Sequence, residues 1–207
     1  MIKTKKEALE IVGGLSNSSK MPETAHGTPA HRCNVGSKLR PIVGSTCYGC
    51  YALKGRCGMP KSVAAQERRL DAMYHEDWVD AMVYLLKGVK HHRWFDTGDI
   101  PDRLVLLKIF DVCELTPNTK HWLPTRERKL VQELWEFIPD NLVIRLSAPM
   151  VNQPPVRTSE FPYTSTVHLE GAKVYGRECP AKHNMNQCGD CRACWDKRVK
   201  NVSYAYH

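Results

Sequence analysis

The sequence contains no apolar run long enough to cross a bilayer. Its greasiest stretch, Leu104 to Phe110, is broken by Lys108, whereas a spanning helix needs about 20 consecutive apolar residues. The opening segment MIKTKKEALEIVGG is basic, then acidic and amphipathic, and lacks the apolar centre and small-residue cleavage site of a secretory signal. No membrane partner is therefore expected, and an intracellular location is. There is no Walker phosphate loop and no dinucleotide fingerprint, because Val12-Gly13-Gly14 is too short for either. Internal repeats and low-complexity segments are also missing, which excludes solenoids and arrays. With 42% hydrophobic and 25% charged residues in 207, the chain is neither disordered nor fibrous, and is long enough for one domain with a real core.

Cysteine is the residue in excess. Nine are present: Cys33, Cys47, Cys50 and Cys57, then Cys113 alone, then Cys179, Cys188, Cys191 and Cys194. In a reducing compartment, two groups of four around one isolated residue read as metal ligands and not as a disulfide framework. The C-terminal set reads CPAKHNMNQCGDCRACW. Its doubled C-x2-C step wraps one side of a cubane cluster, with Cys179 supplying the distant fourth thiolate. A single zinc is usually caged by two separate knuckles, so this spacing favours a 4Fe–4S cluster, with zinc as the alternative metal. His183 lies between these cysteines and is either a substitute ligand or a solvated residue. The N-terminal set is looser. Two metal readings stay open there: four thiolates closing a second site, or Cys33, Cys47 and Cys50 holding a cluster with Cys57 idle and one iron open. A single C-x2-C pair holding zinc, or nothing, is the bland alternative. Cys113 sits in an apolar helical stretch and is expected to fill core.

The middle of the chain has a βα rhythm. Helical spacing covers 62–75 and 76–89, the latter with Trp78, Met82, Leu85 and Leu86 on one face. His92 to Asp96 reads as a strand stopped by Thr97-Gly98-Asp99, and Pro101-Asp102 opens a helix through Leu115. His121 to Pro124 reads as a second strand, Thr125 as the cap of a helix over 126–137, Leu142 to Leu146 as a third strand and Thr166 to Leu169 as a fourth. Such alternation implies an α/β fold with parallel pairing. Four visible strands exclude a closed eight-stranded barrel. What remains is a partial parallel (β/α) barrel or a small parallel sheet, with cysteine-rich metal-binding loops at both ends. One domain, 1–207, is expected: an N-terminal helix and cysteine loop over 1–60, a βα core over 61–170 and a cysteine-rich extension over 171–207. Residues 14 to 60 and 149 to 165 are long loops, for which bound metal is a sufficient clamp on the first.

Ligands of parallel sheets collect at the carboxyl ends of the strands. Asp96 and Asp99 at the first such end suit a cation or an amine, or simply stabilise a turn. His91, His92, His121 and His168 lie in or beside strands, where a histidine is more often satisfied structure than catalyst. His121 and His168 are the candidates for acid–base or ligand roles. The net charge is +8, with local groups at Lys3/Lys5/Lys6, Arg126/Arg128/Lys129 and Lys197/Arg198/Lys200. These are either solvated faces or a basic surface for nucleic acid or a host protein. Trp122 with Arg126, and Tyr204 with Lys200, are pairs that suit stacking on bases.

The run Cys47-Tyr48-Gly49-Cys50-Tyr51-Ala52-Leu53-Lys54-Gly55, the strand ending in Thr97-Gly98-Asp99, the segment HWLPTR and the terminal CPA and CGDCRACW segments together resemble the gene-product-eighty-eight-like family of bacteriophage proteins, from about Ala30 to Trp195. That family is in turn similar to a shortened radical S-adenosylmethionine (SAM) fold. The resemblance implies a 4Fe–4S cluster held by three N-terminal cysteines, and a turn after the second strand that contacts SAM. Here that turn corresponds to Thr97, Gly98 and Asp99, although they follow the first strand counted above. The C-x3-C step of radical SAM enzymes is absent, since Cys33 stands far ahead of Cys47, and Cys57 is additional. The expectation from the resemblance is an iron–sulfur protein with one or two clusters and redox or radical-type activity, in the cytoplasm of an infected bacterium. The competing expectation is a non-catalytic metal-binding module on nucleic acid or a host protein.

Overall fold

A computed structural model describes residues 2–16, 18 and 20–206. Thirteen regular elements follow one another as α1 (Lys5–Ile11), β1 (Thr24–His26), α2 (Asn34–Leu39), α3 (Pro60–Ala72), α4 (Trp78–Leu85), β2 (His91–Trp94), α5 (Arg103–Leu115), β3 (Lys120–Thr125), α6 (Arg128–Glu133), β4 (Leu142–Ser147), β5 (Thr164–His168), β6 (Arg177–Glu178) and β7 (Asn201–Ala205). The seven strands form one sheet in the order β1-β2-β3-β4-β5-β7-β6, and every pairing is parallel. It is an open sheet. Strand counting from the sequence therefore fell short by three: β1 has 3 residues, β6 has 2, and β7 lies beyond the last cysteine. Because β1 precedes it, the strand that ends before Thr97-Gly98-Asp99 is the second and not the first.

Helix signals in the sequence act as the physics requires. Pro60 occupies the first turn of α3, and the Asp102 carboxylate accepts from Val105 N at 2.9 Å to start α5. The helix expected over 126–137 is shorter. Regular α-helix spans Arg128–Glu133, and a tighter turn follows at Trp135–Phe137. Thr125 stays in β3, where its hydroxyl accepts from Glu127 N at 2.9 Å.

Alternation along the central strands separates two packing layers. Trp94, Leu123, Leu142 and Ile144 pack against α1, α4 and α5, with Cys113 filling core at 0% exposure. On the opposite face, Trp122 and Val202 pack with Cys194 and Trp195 of the C-terminal cysteine segment. That segment takes the place of the helices that usually cover the second face of a parallel sheet. The two long loops hold one another: Thr46 N donates to Pro149 O at 2.8 Å, Val151 N donates to Gly44 O at 2.9 Å, and Ser45 bridges Met150.

Candidate metal centres

The N-terminal cysteines lie over the carboxyl ends of β1 to β4. Cys33 precedes α2, and a methyl group placed on Gly36 would sit 3.6 Å from the Cys33 sulfur and 3.7 Å from that of Cys47. Two sulfurs thus flank a glycine that leaves the space between them open. Cys47 and Cys50 are joined by a tight turn, Cys50 N donating to Cys47 O at 3.2 Å, with Gly49 at φ 69°. The loop is pinned onto the sheet at several points. Thr46 Oγ1 donates to Ala148 O at 3.0 Å, Arg126 Nη2 donates to Thr46 Oγ1 at 2.8 Å, and the Tyr51 hydroxyl donates to Asp96 O at 2.6 Å.

Electrostatics ties three of these thiols together. Burial pushes the Cys33 thiol up to about 12, reinforced by Asp99, Cys50 and Cys47 and opposed by Arg126. Burial also raises Cys47, with Arg126 opposing and Cys50 and Asp99 adding to the rise. Cys57 is raised by burial, then by Asp96 and Cys50, against Lys20. Cys50 thus acts on Cys33, Cys47 and Cys57, and Cys47 also acts on Cys33.

Thr97, Gly98 and Asp99 stand beside this set at the end of β2. Gly98 has φ 80°, and a methyl group there would meet Thr28 O at 2.6 Å, so the turn closes against the chain after β1. Both Asp99 oxygens are engaged: Oδ1 accepts from Thr125 Oγ1 at 2.6 Å and Ile100 N at 2.9 Å, and Oδ2 accepts from Arg126 N at 2.9 Å. Asp99 thereby brackets the ends of β2 and β3. Burial lifts its carboxyl above the ordinary range, opposed by those three donors. The buried Thr97 hydroxyl has no hydrogen-bond partner among the described residues.

The C-terminal set begins where β6 ends. Cys179 N donates to Ser203 O at 2.8 Å, Cys188 N to Lys20 O at 2.9 Å, and Cys191 N to Cys188 O at 3.0 Å. Cys194 Sγ lies 3.2 Å from the Tyr204 hydroxyl. Burial pushes the Cys194 thiol up to about 12, against Tyr204 and Arg145. Cys179 and Cys188 are likewise raised by burial; Cys191 adds to both, and Cys179 adds to Cys188.

A residue that the sequence reading missed organises this segment. Arg145, on β4, is 0% exposed. Its guanidinium donates to five backbone carbonyls: Cys194 at 3.0 Å, Ala193 at 2.8 Å, Asp196 at 3.1 Å, Val199 at 2.9 Å and Thr164 at 3.4 Å. Nη2 serves three of these carbonyls with two hydrogens, so one hydrogen is shared, and the ring of acceptors is met without a carboxylate. Its signal was a lone charge in the otherwise apolar LVIRL. Trp195 completes the seat, donating from Nε1 to His92 O at 2.9 Å and packing edge-on to Trp122 at 5.1 Å.

Arg93 stands between the two sets. Its guanidinium lies 4.5 Å from the centre of the Trp122 ring. Burial works against its charge, and Tyr51, Asp96, Tyr204 and Cys194 outweigh it. Among the described residues, no group of three or more His, Cys, Asp or Glu side chains is arranged to hold a metal ion. His92 and His121 pack with Trp94 on the helical face, while His168 meets Ser203 Oγ at 2.8 Å and Glu178 at 3.3 Å. His91 packs on Trp195, and His183 is exposed 4.0 Å from Glu178. One of the basic groups, Lys197/Arg198/Lys200, is partly neutralised, Arg198 by Asp196 at 2.8 Å and Lys197 by Asp140 at 3.7 Å. No helix is long and apolar enough to cross a membrane among the described residues.

A family described as Gene product 88 matches residues 3–197, nearly the whole chain. No curated protein and no solved structure matches it.

Proposed function

This chain belongs to the Gene product 88 family, and from that premise we propose that it is an iron–sulfur protein with redox or radical-type enzyme activity. Cys179, Cys188, Cys191 and Cys194 hold one 4Fe–4S cluster. Cys33, Cys47 and Cys50 hold a second, with Cys57 beside it. The doubled C-x2-C step of the C-terminal set, on a segment that Arg145 seats against the sheet, carries the reading, and in each set most of the thiols are held up by burial and by neighbouring thiols. Such groups ionise together only where a cation offsets their repulsion. A cubane core supplies that positive charge over a wider span than one ion does. Cubane iron with four thiolates keeps a net negative charge. Arg126 at the first set, and Arg145 and Arg93 at the second, act in the sense that offsets it.

The N-terminal set has the position expected of a reactive centre, above the carboxyl ends of parallel strands. Its looser coupling to Cys57 supports the three-thiolate arrangement, which leaves one iron able to meet a substrate or SAM. Such a cluster supplies one-electron chemistry when bound. The chain's own residues supply the frame: Asp99 and Gly98 hold the ends of β1, β2 and β3 in register beneath the cysteines. That Thr97-Gly98-Asp99 follows the second strand supports its comparison with the SAM-contacting turn.

Iron, sulfide and zinc content of anaerobically purified protein, with a visible spectrum, tests the proposal. About eight irons per chain and a broad band near ~400 nm are expected for two cubanes. About four irons would limit the protein to one. A colourless zinc protein would overturn the proposal. One feature favours a second reading, a non-catalytic module on nucleic acid. From Thr24 to Gln66 the chain has no Asp or Glu and carries Arg32, Lys38, Arg40, Lys54, Arg56 and Lys61, with Tyr48 and Tyr51 exposed. Binding of single-stranded nucleic acid that falls steeply with salt would support that reading.

A further inference from the structure

A second feature of the carboxyl edge adjoins the N-terminal cysteines. A cleft of about 300 Å³ opens between α2, the turn after β3 and the loop after β4. Its apolar walls include Val35, Leu39, Leu146 and Val156, and its charged residues are Arg126 and Arg128, with no carboxylate in the lining. Pockets of this size, largely apolar with a few converging polar groups, are the usual form of small-molecule sites.

Arg126 is the informative residue. Its Nη2 is used on Thr46, but its Nε is enclosed and has no hydrogen-bond partner among the described residues. The nearby carboxylates do not pair with it. Asp99 is occupied by Thr125 Oγ1 and two backbone amides, and Glu127 Oε1 takes Val35 N at 2.9 Å. Neither Arg126 nor Arg128 forms an ion pair among the described residues. The guanidinium of Arg128 lies 5.3 Å from the centre of the Phe161 ring. A buried donor left unpaired costs stability unless an acceptor arrives, and a guanidinium fork matches the oxygens of a carboxylate or phosphate.

We propose that this cleft binds a small organic anion, its carboxylate or phosphate on Arg126 and Arg128 and its apolar body against Val35, Leu39, Leu146 and Val156. Arg126 acts electrostatically on Cys33 and Cys47, so the occupant lies beside the N-terminal thiols. The inference stands on the lining of the cleft and holds whichever metal the cysteines carry.

Calorimetric titration of the purified protein with phenyl phosphate and hexanoate, against phenol and 1-hexanol, tests it. The expected result is saturable binding of at least one anion, about ten-fold or more tighter than its neutral counterpart. Preference between the two anions identifies the head group. Arg126→Gln should weaken binding by about ten- to hundred-fold. Arg126 also pins the cysteine loop, so Arg128→Gln and Leu39→Trp serve as variants that leave that contact in place. The first should weaken binding, and the second should abolish it by filling the cleft. Metal content measured on each sample separates this result from failure of the iron–sulfur reading. No binding of either anion, equal binding of the neutral compounds, or anion binding unchanged in both Arg128→Gln and Leu39→Trp would overturn the inference.

Discussion

Lowering the pH from 7.5 to 4.5 should unfold this protein through three buried histidines. His26, His92 and His121 are each 0% exposed and lie among Trp78 and Trp94. Thr24 Oγ1 reaches His92 Nδ1 and Thr116 Oγ1 reaches His121 Nε2, both at 2.9 Å. Both nitrogens of His26, Nε2 of His92 and Nδ1 of His121 have no partner among the described residues. A proton added there gains a charge and no acceptor. Burial, then Arg69, holds His26 down at about 3, and burial holds His121 at about 3. His92 is held well below its ordinary value by burial, then by His121 and His26. The unfolded chain binds these protons near pH 6.5, so above that value the rings cost nothing. Between pH 6.5 and about 3, His26 and His121 each withdraw about 1.4 kcal/mol of stability per pH unit, and His92, held well below its ordinary value, adds to the loss over the upper part of that range. Three rings together withdraw about 4 kcal/mol per unit, or about 6 kcal/mol by pH 5, comparable with the whole stability of a domain. Urea titrations followed by circular dichroism at half-unit pH steps should show an uptake of about three protons on unfolding. His121→Phe, checked for equal metal content, should remove about a third of that slope and leave the contribution of any acid-labile metal in place. Stability that is flat from pH 6.5 to 5, or a slope identical in His121→Phe, would refute the reasoning.

Arg145→Leu strands five carbonyls around the C-terminal cysteine segment. It should cost about 3 kcal/mol or more in urea unfolding and lower the metal content, and Arg145→Lys, with three donors, should not restore either. Cys191→Ala should lose the C-terminal cluster, about four irons, together with much of the stability, because metal binding is also folding energy. An unchanged metal content and melting curve would remove Cys191 from the ligand set. Gly98→Ala combines φ 80° with a methyl placed 2.6 Å from Thr28 O, and should cost about 2 kcal/mol or more in the same assay. Cys113→Ser should keep all metal and cost about 1–3 kcal/mol for a buried hydroxyl in an apolar helix.

The sequence was informative where one element carries its own signal. Pro60 and Asp102 start helices by local chemistry, and the apolar runs of β3 and β4 announce central strands. β1, β6 and β7 escaped because their strand character comes from their neighbours. Thr24–His26 is extended because His92, Arg93 and Trp94 pair with it, and Arg177-Glu178 because β7 does. Thr125 misled for a related reason. A threonine before a helix reads as a cap, but here its hydroxyl also serves Asp99 across the sheet. The expected metal clamp on residues 14 to 60 is paralleled by a backbone one, since the same loop is hydrogen-bonded to Pro149 and Met150.

The candidate site divides along the same line. Cysteine spacing groups thiols by their nearness along the chain, and the two sets are groups of that kind. It could not report that Arg93, one strand inward from β1, stands between them, because that relation exists only once β2 pairs with β3 and Trp195 docks on His92. Nor could it report which charges face the thiols. Arg126, Arg93 and Arg145 lie on different strands or just after one, and what they share is the sheet. Those three arginines act in the sense that offsets ionised thiolates, whether iron or zinc is the metal, because four thiolates leave a cubane core and a zinc ion alike with a net negative charge. If neither set holds metal, the action of these arginines on Cys33, Cys47, Cys188 and Cys194 loses that reason, and the Arg145 ring of carbonyls alone would remain as a structural device.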